Sequence, residues 1–236
     1  PSSAGSGLDM IARLYAKQLG EVPNLPTIVE NRDGAGGMIG SAYVAKQPAD
    51  GHTLLVGYNG PIAINVTLFD KMPYDPLKDL APITLGVKAP QYLVVNPKLG
   101  INSLKDLVTK AKEDPNKYSY GSIAMGSASH LTMEMFKEAA GINVTHVPYK
   151  GAGPAVTDLI SGQIHMGFFV PGNVQQFAKT GQVKLIASTG TTRFPSTPEV
   201  PTVAESGYPN FEATSWIGFL APGATSGNII VRYNRE

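Results

Sequence analysis

Hydrophobic positions along the chain follow two spacings in turn. Short runs of apolar and β-branched residues, bounded by Gly, Pro or Asn, predict strands at 27–31, 53–57, 92–95, 118–122, 144–147, 164–170, 183–189 and 211–220. Several of these, such as Tyr92-Leu93-Val94-Val95, are apolar throughout, the pattern of a strand buried on both faces of its sheet. Between the strands the spacing becomes helical. Leu8, Ile11, Leu14, Tyr15 and Leu19 repeat before the stop Gly20; Leu104, Leu107, Val108 and Ala111 follow Ser103 and end before Pro115. Leu131, Met135, Phe136 and Ala139 precede Gly141; Val156, Leu159 and Ile160 run from Pro154 to Gly162; Val174, Phe177 and Ala178 precede Gly181. Thr202-Val203-Ala204-Glu205 reads as a capping box that opens a short helix ending at Gly207. Strands alternating with helices predict an α/β fold with mainly parallel sheets flanked by helices.

Composition narrows the class. At 236 residues the chain can hold one large core or two smaller ones. Hydrophobic residues make up 42% and charged residues 16%, which suits packed cores. The formal net charge is +1 with no basic run, so no nucleic-acid partner is expected. The absence of cysteine removes disulfides and thiolate chemistry, and no apolar run approaches the roughly 18–20 residues of a membrane span. No signal peptide stands at the start. Pro1 to Gly7 reads as a loop that should follow a strand, and residues 228–236 as a helix cut short, so the chain is expected to be trimmed at both ends.

Four strand-to-helix junctions share small residues, hydroxyls and glycine: Ala4-Gly5-Ser6-Gly7-Leu8-Asp9, Asp33-Gly34-Ala35-Gly36-Gly37, Ser122 through His130, and Tyr149-Lys150-Gly151-Ala152-Gly153-Pro154. Ser6 and Asp9 have capping-box spacing. Glycine lets backbone approach a ligand, and a helix start offers unpaired N–H donors with partial positive charge. Such contacts with an anion each contribute about 0.3–1 kcal/mol, up to about 2 when partly buried. Each loop alone also reads as an ordinary turn; together they point to an anion pocket at the carboxyl ends of the strands.

Other chemistry finds little support. Gly34, Gly36 and Gly40 are spaced one residue too long for a dinucleotide fingerprint, and no Gly-rich loop runs into a P-loop lysine. There is no nucleophile elbow and no paired-histidine metal motif. A hydrolase or transferase using Ser127 or Ser129 with His130 is the alternative from another class.

Longer blocks carry a resemblance: Val29-Glu30-Asn31-Arg32-Asp33-Gly34-Ala35-Gly36-Gly37, Pro48-Ala49-Asp50-Gly51-His52-Thr53-Leu54-Leu55, Met72-Pro73-Tyr74-Asp75-Pro76, Val147-Pro148-Tyr149-Lys150-Gly151 and Glu199-Val200-Pro201-Thr202-Val203-Ala204-Glu205. With Gly5…Asp9…Ala12-Arg13, Tyr120-Gly121-Ser122 and Gly126-Ser127…His130-Leu131, the sequence resembles the Bug-type extracytoplasmic receptors of tripartite tricarboxylate transporters, nearly end to end. The resemblance implies a two-lobed periplasmic binding fold, type II-like, with the ligand between lobes. Lobe one would hold 1–91 and 217–236, lobe two 92–216, with hinges near 92–95 and 216–220. It implies a monomeric, non-enzymatic receptor in the periplasm that needs no cofactor or metal. The ligand would be a di- or tricarboxylate, an acidic amino acid or an aromatic carboxylate. The partners would be two membrane subunits of an ion-driven transporter, or, in a variant of this reading, a sensor.

The residues implicated are Ser6, Gly7, Asp9, Ala35, Gly36, Tyr58 and Asn59 in lobe one and Ser122, Ser127 and His130 in lobe two, with the Ser127 hydroxyl donating to the carboxylate. Ser6 stands where the family usually has glycine. Phe168-Phe169-Val170-Pro171 stands where many members have an aspartate, so one of Phe168 and Phe169 is expected to line the cleft.

Overall fold

Three serines start three helices. In the computed structural model, which describes residues 1–22, 25–115 and 117–236, the hydroxyls of Ser6, Ser103 and Ser127 accept the N–H groups of Asp9, Asp106 and His130. Each bond satisfies one of the donors that a helix start cannot pair internally. The elements in chain order are α1 (Gly7–Gly20), α2 (Met38–Ala45), β1 (Leu55–Tyr58), a π-helical turn (Gly60–Ile64), α3 (Asn65–Leu68), β2 (Leu80–Pro90), β3 (Tyr92–Val95) and α4 (Leu104–Glu113). They continue with β4 (Ser119–Ser122), α5 (Ala128–Ala140), β5 (Thr145–Pro148), α6 (Ala152–Ser161), β6 (Met166–Phe169), α7 (Pro171–Lys179), β7 (Lys184–Ser188), β8 (Thr214–Pro222) and α8 (Gly227–Arg235).

The chain divides into two units, Pro1–Lys88 with Trp216–Glu236, and Ala89–Ser215. The first holds a sheet of order β1-β8-β2, with β1 antiparallel to β8. Val44, Leu55, Tyr74, Leu80 and Leu220 pack one apolar cluster; Ile83, Phe219 and Ala221 pack another with Tyr15 and Tyr233. The second unit holds a sheet of order β5-β4-β6-β3-β7. β4 is parallel to β5 and β6, whereas β3 is antiparallel to both β6 and β7. The sheets are thus mixed rather than mainly parallel.

Both faces of the five-stranded sheet are covered. On one, Leu93, Leu104, Leu107, Met133, Phe136 and Phe168 form a core; on the other, Tyr92, Val156, Leu159, Ile164, Phe169 and Val174 do. This double burial is the reason β3 reads as an uninterrupted apolar run.

Departures from the sequence reading have local causes. Residues 27–31 form no strand and sit in no ladder among the described residues, since β-rich composition does not supply a neighbouring strand. β2 escapes prediction because Pro82, Gly86 and Pro90 interrupt it; as an edge strand it tolerates them. In α5 the buried face is Ser129, Thr132, Met133, Phe136 and Ala140, while Met135 is exposed. The apolar spacing fits two phases, and polar Ser129 and Thr132 can be buried because Ile123 N–H and the Gln91 amide bond to them. The box at 202–205 forms both its bonds, Thr202 N–H to Glu205 and Glu205 N–H to Thr202 Oγ1. It nevertheless closes only a turn, not the expected helix.

Phe136 is fully buried and meets Phe168, Tyr208 and Phe211 edge-on. Phe136→Ala is expected to destabilise the protein by about 3–5 kcal/mol, read as a lower urea midpoint with an unchanged m-value.

Candidate functional site

In the first unit, the loop before α1 is fixed by a buried carboxylate. Asp9, 4% exposed, accepts the Gly5 N–H at 2.8 Å, Arg13 Nε–H at 3.0 Å and the Asn31 side-chain amide at 2.9 Å. The Arg13 bond, then the Gly5 and Asn31 bonds, pull its pKa down to about 2. Asn31 also donates to Ser2 O, and Arg13 Nη2 to Asn31 Oδ1. The Asp9 carboxylate is therefore occupied in holding the loop. The Ser6 hydroxyl is likewise occupied, by Asp9 N–H and by Ser2 Oγ. The first backbone N–H groups of α1, starting at Gly7, are the donors this scaffold leaves without an intrahelical acceptor.

The second glycine loop bends tightly into α2. Gly34, Ala35, Gly36 and Gly37 all have positive φ, and Ala35 holds φ 47° despite its side chain. The Tyr58 hydroxyl, with its pKa raised by burial, donates to Gly36 O at 2.9 Å. A Cβ on Gly37 would lie 2.6 Å from the Tyr58 hydroxyl oxygen, and φ there is positive, so glycine is required. A Cβ on Gly40 would lie 2.7 Å from Pro1, a close approach that seats the N-terminal loop on α2. The Asn59 side-chain carbonyl accepts Trp216 N–H at 2.9 Å. The structure thus joins Ala35, Gly36, Tyr58 and Asn59 through one turn region, with Ser6, Gly7 and Asp9 beside the N-terminal segment that packs on it.

In the second unit, Ser122, Ser127, Ser129 and His130 share one network at the start of α5. Ser127 Oγ donates to Ala124 O at 2.7 Å and lies 2.9 Å from Ser129 Oγ. The same oxygen accepts His130 N–H and so caps α5. Ser122 is fully buried, between Ala124 O at 3.1 Å and His146 Nε2 at 2.7 Å. The fourth Gly-rich loop braces this one, with Gly151 N–H donating to Ile123 O. His130 uses Nδ1 to accept Gly126 N–H at 3.2 Å. Among the described residues its ring bonds neither Ser127 nor Ser129, so the serine–histidine arrangement of the alternative hydrolase reading is not formed.

Phe168 and Phe169 are a correction. Both are at most 1% exposed, Phe168 in the core against Phe136 and Phe169 in the opposite core with Tyr92 and Val174. In a sheet covered on both faces, strand alternation sends each ring into a core, and neither reaches an open surface.

Sequence reading missed the polar column beside the serines. His146 stacks on His130, with ring centroids 4.2 Å apart, and on Tyr120 at 4.7 Å. Tyr120 donates to Glu134, which pairs with Lys137 at 2.9 Å. Glu134 and Lys137 follow His130 at helical spacing and were legible in principle. His146 was not, since it meets Tyr120 through strand pairing across 26 positions. Arg13 had the same i,i+4 signal from Asp9; Asn31, 22 positions away, had none. Among the described residues no cluster of His, Cys, Asp or Glu suits a metal ion, and no helix is long and apolar enough to cross a membrane.

An α/β sheet with glycine- and serine-rich loops at its helix starts is compatible with many functions, and comparisons with known proteins narrow it to the solute-binding receptors. Residues 11–235 match the family described as tripartite tricarboxylate transporter family receptor. Protein BugT of Bordetella pertussis is 38% identical over all of this chain, which spans 73% of BugT. Among solved structures, R. palustris Rpa4515 with adipate is 36% identical with a TM-score of 0.96 over 100% of this chain and 79% of that one. MatC from Rhodopseudomonas palustris with bound malate is 30% identical with a TM-score of 0.92, covering 100% of this chain and 80% of that one. The chain belongs to the tripartite tricarboxylate transporter receptor family, and its fold is that of the two-lobed periplasmic binding proteins.

The low pKa of Asp9 gives a stability contribution that is complete above the ordinary carboxylate range and lost as pH falls through about 2. Asp9→Asn is expected to lower unfolding free energy at pH 6 by about 1–3 kcal/mol. In urea titrations the gap to the parent protein should narrow as pH approaches 2; a gap independent of pH would place the Asp9 charge outside the network.

Proposed function

We propose that this receptor captures a small carboxylate in the periplasm and delivers it to two membrane subunits of a secondary transporter, as a monomer and without a chemical step. The observation that carries the reading is how the side chains around the two capped helix starts are used. Asp9, Ser6, Ser127 and Ser122 spend their hydrogen-bonding groups on the loops themselves. What remains at the starts of α1 and α5 is backbone N–H, the donor set that suits an anion. One such set stands in each unit, at the start of α1 and at the start of α5. The family relationship supports the reading, and relatives seen with adipate and with malate favour dicarboxylates as the first ligands to try. Ser6, Gly7, Asp9, Ala35, Gly36, Tyr58, Asn59, Ser122, Ser127 and His130 remain the proposed site, with Asp9, Ser122 and Ser127 in positioning roles. Burial of Phe168 and Phe169 removes those two from it.

A dissociation constant near 1 μM corresponds to about −8 kcal/mol, and a hundredfold excess of ligand then adds about 2.7 kcal/mol of stability. For a chain of this length that is a rise in Tm of about 5–10 °C. A thermal-shift panel of adipate, malate, citrate, glutamate and benzoate should contain at least one such rise. A flat response across the panel would refute carboxylate capture, and recovery of a chemically altered ligand would refute the non-enzymatic reading.

A further inference from the structure

The loop that opens α5 is held in part by an imidazole lone pair. Gly126 N–H donates to Nδ1 of His130, so that nitrogen carries no proton and the ring is neutral with its hydrogen on Nε2. Gly126 sits at φ +73°, inside the turn between Ser122 and Ser127. One ring further in, Nε2 of His146 bonds Ser122 Oγ at 2.7 Å. The two imidazoles are stacked nearly parallel, 13° apart, with Tyr120 completing the column on the far side of His146. Adding a proton to His130 Nδ1 would set two hydrogens against each other and break the Gly126 bond. Adding one to each ring would place two like charges 4.2 Å apart between their centroids.

The charged groups around the pair are Glu134 and Lys137 on α5, and the titratable phenol Tyr120 on β4. Glu134 does not neutralise a new imidazolium cheaply, because its carboxylate already accepts from Tyr120 and Lys137. Burial lowers the pKa of both histidines, Glu134 raises it and Lys137 lowers it again. His146 also feels its neighbour His130 and is pushed down to about 4.

We propose that His130 and His146 are positioning residues that hold the α5 loop only while both rings are neutral, so that acidification releases the loop and weakens carboxylate capture. This deepens the proposed function and rests on it for the ligand, but the switch itself belongs to the free protein. The sign follows from linkage: both groups bind a proton more weakly in the folded loop than in a released one, so the held state is favoured above the ordinary histidine range. It is lost progressively as pH falls below that range.

The test has an arm without ligand. NMR of the free protein from pH 8 to pH 4 should show both imidazoles titrating below 6.5, with the Gly126 amide signal moving on the His130 titration. Ordinary midpoints, or a Gly126 amide that ignores His130, would overturn the proposal. The second arm measures adipate affinity at pH 7.5 and 5.0 in the parent protein, His130→Asn and His130→Ala. Asparagine offers an acceptor near the Nδ1 position and cannot titrate. It should recover affinity relative to alanine and lose at least part of the acid weakening, roughly several-fold, that the parent shows beyond protonation of adipate itself. Equal acid weakening in the parent and His130→Asn would also overturn the proposal. Failure of adipate to bind at any pH would count against the functional reading, while the imidazole titration would still decide the switch.

Discussion

A helix start carries N–H groups that its own backbone cannot pair, and in this protein two such starts are kept fixed by side chains already hydrogen-bonded within their loops. The arrangement depends on one buried carboxylate in the first unit. Asp9 accepts three donors from three directions, reaching back to Gly5, along α1 to Arg13 and across to Asn31. Because those bonds are charge-assisted and sheltered, the loop is held in place before any ligand arrives. That preorganisation matters for affinity, since ordering a floppy loop would cost free energy at the moment of binding.

The second unit solves the same problem without a buried charge. Serine hydroxyls bond one another and the Ala124 carbonyl, and the His130 imidazole accepts the Gly126 N–H. A network of neutral groups costs less to bury than an ion. Its weakness is that histidine is the side chain whose charge changes near physiological pH. The two units therefore respond to acid in different ranges: Asp9 keeps its charge down to about pH 2, whereas the histidine column meets its limit well above that.

Much of this was legible in the sequence. β3 was read at its full extent because a doubly buried strand is apolar at every position, and the helix starts at Ser6 and Ser103 were marked by local capping chemistry. The glycine- and serine-rich loops were found for the same reason, since φ and cap requirements act over a few residues. What stayed hidden was non-local. Asn31 reaching Asp9, His146 facing Tyr120, and the phase of α5 against Gln91 each depend on which distant segments pair. Roles were harder still. Sequence identified Asp9 and Ser127 as site residues but could not show that their polar atoms are already committed. Nor could it show that Phe168 and Phe169 lie in two cores on opposite faces of one sheet.

The central proposal is that carboxylate groups are bound by backbone N–H groups at a helix start, α1 in the first unit and α5 in the second. Backbone amide chemical shifts followed during a titration with adipate or malate test it most directly. The account predicts the largest changes at Gly7 and Leu8 in the first unit and at Ala128 and Ser129 in the second. Saturating changes confined to other residues, with these amides unmoved, would contradict it.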